Sequence, residues 1–404
     1  MKTIIKTTGK HFLQVVLVAG LITSSSCKKE LITNPVTPCN DINSETTWKN
    51  TSAAVDYTFD CTVSVNAKLT VEPGTVIEFN NGAGILVSSS GALKAIGTSA
   101  LPIIMRGTSD IQGGWKGILV SSNNTENELT FCTIKNGGSS SFDGNTGFLA
   151  NVRLSSTAQM RINNSVISKS AKYGVFVEGL DDSELEALTS IANDTFTENG
   201  SYPLSITAAM AKNITTGILI GLNQANKVEV RGGRMFGEHT WNNISVPYLI
   251  TGNTSAGYSG TDGSLTVKPG TTLQFGADVG LTIGEYSNGY IDMTGNSSQH
   301  ILISGSNPVP GSWKGICFQS TNAKNKLSYV DISYGGSSSF TGNTSQKGNI
   351  IVGGFSAGDV SVDHILIGLS KAYGIYSTLG SANIDITNNV SFQGNVSGDY
   401  YHEQ

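Results

Sequence analysis

Three aspartates in the C-terminal half each follow an aliphatic residue in a short run that reads as a strand. They are Val330-Asp331-Ile332, Val362-Asp363-His364 and Ile384-Asp385-Ile386. Asp331 and Asp363 stand 32 positions apart and Asp363 and Asp385 stand 22 apart; a ten-residue insertion at 335–344 accounts for the difference (32 − 10 = 22). If successive strands stack, the three carboxylates line one outer column. Carboxylates a few ångströms apart raise one another's pKa. Such a column can act as an acid/base pair or supply oxygen ligands to Ca²⁺. The corresponding places in the N-terminal half hold Thr133, Asn163 and, approximately, Thr189. An outward polar ladder without chemistry therefore explains the same pattern.

Aromatic residues offer a second chemistry. Trp115 and Trp313, Tyr173 and Tyr373, and Phe142 and Phe340 occur in matching contexts. Facing outward they would stack on sugar rings, because an aromatic face gives a large apolar contact at little entropic cost. Facing inward they would fill corners of the fold. Histidine is scarce, with His239, His300, His364 and His402 beyond the first segment and no metal-ligand spacing among them. No phosphate-cradling glycine loop precedes a helix, and no metal site is assigned. Cys39 and Cys61 flank the start of the candidate fold and can pair in an oxidising compartment. Cys132 and Cys317 align with Val330 and Leu119 across the two halves, which reads as apolar filling.

The elements that must position these residues follow from an internal repeat, a feature sought early because missing it misreads the fold. Leu69-Thr70-Val71-Glu72-Pro73-Gly74-Thr75 returns as Leu265-Thr266-Val267-Lys268-Pro269-Gly270-Thr271, and Trp115-Lys116-Gly117-Ile118 returns as Trp313-Lys314-Gly315-Ile316. The loop 137–146 returns at 335–344 with one change, Asp143 to Thr341. Tyr173-Gly174 returns as Tyr373-Gly374, and Thr47-Trp48 as Thr240-Trp241. Comparing copies predicts side-chain direction. Ile77 and Phe79 match Leu273 and Phe275, whereas Val76 and Glu78 match the polar Thr272 and Gln274. That is the period-2 signature of a strand with one buried face. Many short strands separated by Gly, Asn or Ser corners, with few hairpin signals, predict an all-β solenoid of stacked coils.

The phrases Leu-Thr-Val-x-Pro-Gly-Thr, Gly-x-Trp-Lys-Gly-Ile and Tyr-Gly-Val/Ile resemble right-handed parallel β-helix proteins of the pectate-lyase-like superfamily. More closely, they resemble its lipid-anchored members in Gram-negative bacteria. The resemblance covers about 47–404 and implies a right-handed parallel β-helix built from two duplicated halves, about 47–236 and about 240–404. It implies less about function, since one fold hosts many activities. Polysaccharide lyases of this superfamily pair Ca²⁺-binding acids with a basic Lys or Arg. Here no such residue adjoins the aspartate column, and Lys371 is only a distant candidate. The coil-like stretch 191–234 runs directly into Trp241 without a flexible linker, which favours one continuous solenoid. The acidic run 181–186 has no equally charged counterpart and reads as an external loop.

The chain begins with Lys2, Lys6 and Lys10, a short apolar run 12–22, and Thr23, Ser24, Ser25 and Ser26 before Cys27. The run is far shorter than the ~20 residues of a membrane span, so 1–26 reads as a removable signal. A cysteine after small residues resembles the lipobox of Gram-negative lipoproteins; an ordinary secretory signal with an incidental cysteine is the alternative. Lipidated at Cys27, the protein would be anchored in the outer membrane, facing the periplasm or the cell surface. Residues 27–46 read as a polar tether. A net charge of −5 gives no basic footprint for nucleic acid. Two functions follow as expectations: a non-catalytic module binding polysaccharide or a partner protein at the cell envelope, or a polysaccharide lyase or glycoside hydrolase.

Overall fold

The computed structural model describes residues 36–179, 187–380, 384, 386 and 389–404. The signal segment, Cys27, the tether up to residue 35, the acidic run 181–186 and Asp385 lie outside them. Among the described residues the structure is all-β, and the short 3₁₀ segments Thr146–Phe148 and Ala208–Asn213 are the only helical pieces. Among the described residues no helix is long and apolar enough to cross a membrane.

Among the described residues, consecutive strands do not pair with each other. Lys68–Val71, Val76–Phe79 and Gly84–Val87 enter three different sheets. Each then lies parallel to the strand one turn further on, with Leu69 opposite Leu93, Ile77 opposite Met105 and Ile85 opposite Ile118. A parallel pair requires a long connection, and here the other strands of the turn provide it. Stacked parallel strands form sheets of six, seven, sixteen and seven members. The fourth sheet runs from Gly233–Met235 to Gly398–His402.

The side-chain alternation expected from the repeat is present. Val76–Phe79 and Thr272–Phe275 both alternate partly exposed and buried residues, with Ile77, Phe79, Leu273 and Phe275 inside. Inward residues from all sheets merge into one apolar column. Each fully buried Leu, Ile, Val or Phe adds roughly 1.5–3 kcal/mol. Backbone groups at the corners are satisfied from within. Asn151 accepts from the Gly137 N–H (2.7 Å) and donates to the Ser168 carbonyl (2.8 Å). Asn349 does the same with Gly335 (2.7 Å) and Gly368 (2.8 Å). Gly117 and Gly315, within the repeated Trp-Lys-Gly phrase, have φ of +99° and +117°. A Cβ there would run into the carbonyl oxygen of Ala150 or Gly348, so only glycine suits the position.

The two halves meet with a shift of face. The stack holding Tyr173–Val177 and Leu204–Ile206, third strands of their turns, continues through Val228–Val230 into Tyr248–Ile250 and Thr272–Phe275. Tyr248–Ile250 follows Trp241 as Tyr57–Phe59 follows Trp48, so it is the second strand of its turn. The ladder of strands is unbroken from Thr62–Val65 to Val390–Gln393. The motif frame nevertheless advances by one face at the junction.

Candidate functional site

Of the expected aspartate column, Asp331 and Asp363, the two members among the described residues, do not stack on one another. Asp331 lies opposite Leu302 on one side and Leu366 on the other, while Asp363 lies opposite Ser328. The turn here is 35 residues (366 − 331 and 363 − 328), not the 32 that separate the two aspartates. The cause is the corner within the strands Lys326–Ser333 and Ser361–Gly368. Tyr329 and His364 adopt φ of +51° and +49°, uncommon for bulky residues, and turn the chain there. Asp363 precedes that corner and Asp331 follows it, so they occupy different faces.

Each aspartate instead meets a histidine. Asp331 Oδ1 lies 3.2 Å from His300 Nδ1, and Asp363 Oδ1 lies 2.9 Å from His364 Nδ1. Asn389 donates to Asp363 at 3.0 Å, and the Tyr329 ring stacks on His364 at 4.3 Å. All four carboxylate and imidazole groups are between a third and a half exposed. The Asn389 amide, followed by His364, holds the Asp363 carboxyl below its ordinary range. That is the opposite of the raised pKa a neutral-pH general acid needs. Neither aspartate belongs to a three-ligand grouping suited to a metal ion. The one such grouping among the described residues is Cys39, Asp60 and Cys61, and a disulfide joins its two sulfurs, with Cα atoms 6.2 Å apart. The calcium expectation thus loses the geometry it depended on.

Trp115 and Trp313 face inward. Both are fully buried and stack on Phe79 and Phe275 with centroids 4.3 and 4.4 Å apart. Their indole N–H groups donate to the Lys135 and Ser333 carbonyls, each at 2.8 Å. Neither ring offers a face to a ligand, which corrects their place among the candidates: each lies in the corner just before the strands Ile118–Val120 and Gly315–Phe318, and its side chain is buried there.

Tyr173 and Tyr373 sit on the outer side of third-strand positions, and their surroundings have diverged. Around Tyr173, Phe148 stacks on Phe176 at 4.7 Å, and Tyr173 leans on Phe176 at 4.9 Å. Arg153, almost wholly buried, lies over Phe148 and binds Asp143 and Glu178, both at 2.5 Å. The Arg153 guanidinium pulls the Asp143 carboxyl down to about 2. Side chains fill this place. In the second half Gln346 stands where Phe148 would be, Ile351 for Arg153, Thr341 for Asp143 and Tyr376 for Phe176. Asp143 and its partner Arg153 are thus lost together.

A groove of about 560 Å³ opens there, lined by Tyr373, Tyr376, Tyr401, Lys347, Lys371, Glu403 and several serine and threonine residues. Tyr401 stacks on Tyr373 with centroids 5.1 Å apart and packs on Tyr376 at the same separation. Tyr401 is 42% exposed. Glu403 accepts from the Tyr376 hydroxyl (2.7 Å), the Leu379 N–H (3.0 Å) and Gln346 (3.2 Å). The Leu379 N–H, then the Tyr376 hydroxyl, hold the Glu403 carboxyl below its usual range; burial, then Glu403, pushes the Tyr376 phenol up. Glu403 is thereby committed as an ionised acceptor that fixes the Tyr376 ring. An aromatic wall among hydroxyls and amides suits sugar binding, with apolar contact to ring C–H groups and hydrogen bonds to hydroxyls.

Sequence comparison picked out Tyr373 but missed Tyr376, Tyr401 and Glu403. The available signal was the pair of changes, Phe148 to Gln346 and Arg153 to Ile351, which remove the plug from one copy. Compared with family models, curated proteins and solved structures, the chain gives no significant match.

Proposed function

We propose that the chain is a right-handed parallel β-helix built from a duplicated unit, lipid-anchored through Cys27, that binds polysaccharide at the cell envelope without cleaving it. The observation that carries the binding role is the tyrosine groove. The same place in the N-terminal half is filled by a Phe148–Phe176 stack and a buried, ion-paired Arg153. The C-terminal half opens it while retaining aromatic residues around the opening. The unbroken ladder, the equal Phe–Trp stacks and the equal asparagine bonds support a continuous duplicated helix. The pectate-lyase-like resemblance of the repeated phrases supports the same architecture. A non-catalytic role draws on the separation of Asp331 and Asp363 on different faces, since hydrolysis or elimination requires a matched acid and base at one bond.

A glycan array on the full-length protein, with product analysis of every polysaccharide retained, tests this reading. Retention with chain length unchanged is the expected outcome. Release of shortened or unsaturated sugars would instead establish an enzyme, and an array without binding would remove polysaccharide as the ligand.

A further inference from the structure

Two aromatic rings stand in solvent at the corner that follows the third strands of the second half. Tyr286 is 58% exposed and Phe355 48%, and they stack with centroids 6.3 Å apart and planes 24° apart. They come from turns that are not adjacent. Tyr286 follows the strand Gly280–Glu285 and Phe355 follows Gly348–Val352, with Gly315–Phe318 between them in the sheet. Two turns place equivalent backbone positions about 9–10 Å apart, so the rings lean together across the corner between them.

The duplication shows what brings the rings together. Ile283 to Ile291 is eight positions where the matching Val87 to Leu93 is six, and Val352 to Ser361 is nine where Leu154 to Arg161 is seven. Each of these corners is longer by two residues and carries an aromatic. The corner between them keeps its length, seven positions from Phe318 to Asn325 as from Val120 to Asn127. Tyr286 also adopts φ of +52°, which costs a bulky residue stability, in a turn where the Ser287 N–H donates to the Gly284 carbonyl (2.9 Å). Beside it opens a groove of about 410 Å³, lined by Tyr286 and by hydroxyl and amide residues such as Asn288, Ser320, Thr321 and Ser356. Among the described residues that lining carries no charged side chain.

We infer that Tyr286, backed by Phe355, forms a second sugar platform, which takes an uncharged ring further along the polysaccharide held by the tyrosine groove. The inference rests on that binding reading. An exposed aromatic face gives apolar contact to the C–H groups of a sugar, and neighbouring hydroxyls and amides bond its hydroxyls. An uncharged lining suits a neutral sugar. Tyr373 begins the strand Tyr373–Ser377, which pairs with Gly348–Val352, and Phe355 lies beyond the other end of that pair. The two sites thus flank one set of strands.

Electrophoresis of the full-length protein through native gels holding dextran, mannan, xylan or galactan tests the platform. At least one polymer should retard the wild type. With that polymer, Tyr286→Gly and Phe355→Ala should each weaken binding at least about threefold, and Tyr401→Ala should weaken it as well. Tyr286→Gly should unfold close to the wild-type temperature, because relief of the positive φ offsets the entropy that glycine loses on folding. Unfolding several degrees earlier would assign the ring to the fold and overturn the platform. Undiminished retardation of Tyr286→Gly beside a weakened Tyr401→Ala overturns the platform and leaves the tyrosine groove standing; the reverse pattern upholds the platform and overturns the groove. Retardation of the wild type by none of the four overturns the platform, whatever the array returns for the tyrosine groove.

Discussion

The indole of Trp313 lies flat on the ring of Phe275, with centroids 4.4 Å apart and planes 17° apart. The contact sits inside the coil, where Trp313 has no exposed surface and its N–H is spent on the Ser333 carbonyl. Trp313→Ala should therefore act on folding. The expected loss is about 3–5 kcal/mol, the range for truncating a large buried aromatic, measured by denaturant unfolding. Unchanged stability with lost ligand binding would mean that the ring serves the surface.

Asp194 sets a pH dependence of stability. Its carboxylate is fully buried and accepts only backbone N–H bonds, from Ser165 at 2.7 Å and Ala192 at 3.1 Å. Burial outweighs those bonds and pushes its pKa up to about 7. The folded state thus holds a proton that the unfolded chain releases near 4. The stabilisation is fully present below about pH 4 and is lost as pH rises to about 7. Unfolding free energies of the wild type and Asp194→Asn, compared across pH 4–8, should diverge by on the order of 4 kcal/mol. Parallel curves would show that Asp194 stays ionised throughout.

Asp363 belongs to an exposed corner with His364 and Asn389. Exposed pairs of this kind contribute little to stability, and the groove proposed for polysaccharide is lined by other residues. Asp363→Ala should leave polysaccharide affinity within about twofold of the wild type, because rim charges of this kind are worth little. A loss of tenfold or more would move the site to the corner.

Much of the fold was legible because alternation in a strand is local. Ile77 and Phe79 could be assigned inward from their matches Leu273 and Phe275, and the burial pattern agrees. The aspartate column failed for a physical reason that spacing hides. Tyr329 and His364 take the left-handed conformation at a corner, and a register offset of 35 residues puts Asp331 and Asp363 on opposite sides of the bend. Trp115 and Trp313 were ambiguous because repetition marks equally a residue that packs and one that binds.

The tyrosine groove carries the functional proposal, and Tyr401 is its most exposed aromatic wall. The most direct measurement is the affinity of Tyr401→Ala for the best polysaccharide found on the array, set beside its thermal unfolding. Affinity should fall at least about tenfold, the size of one aromatic contact, with the unfolding temperature close to that of the wild type. Undiminished affinity in a folded Tyr401→Ala protein would contradict binding at this groove.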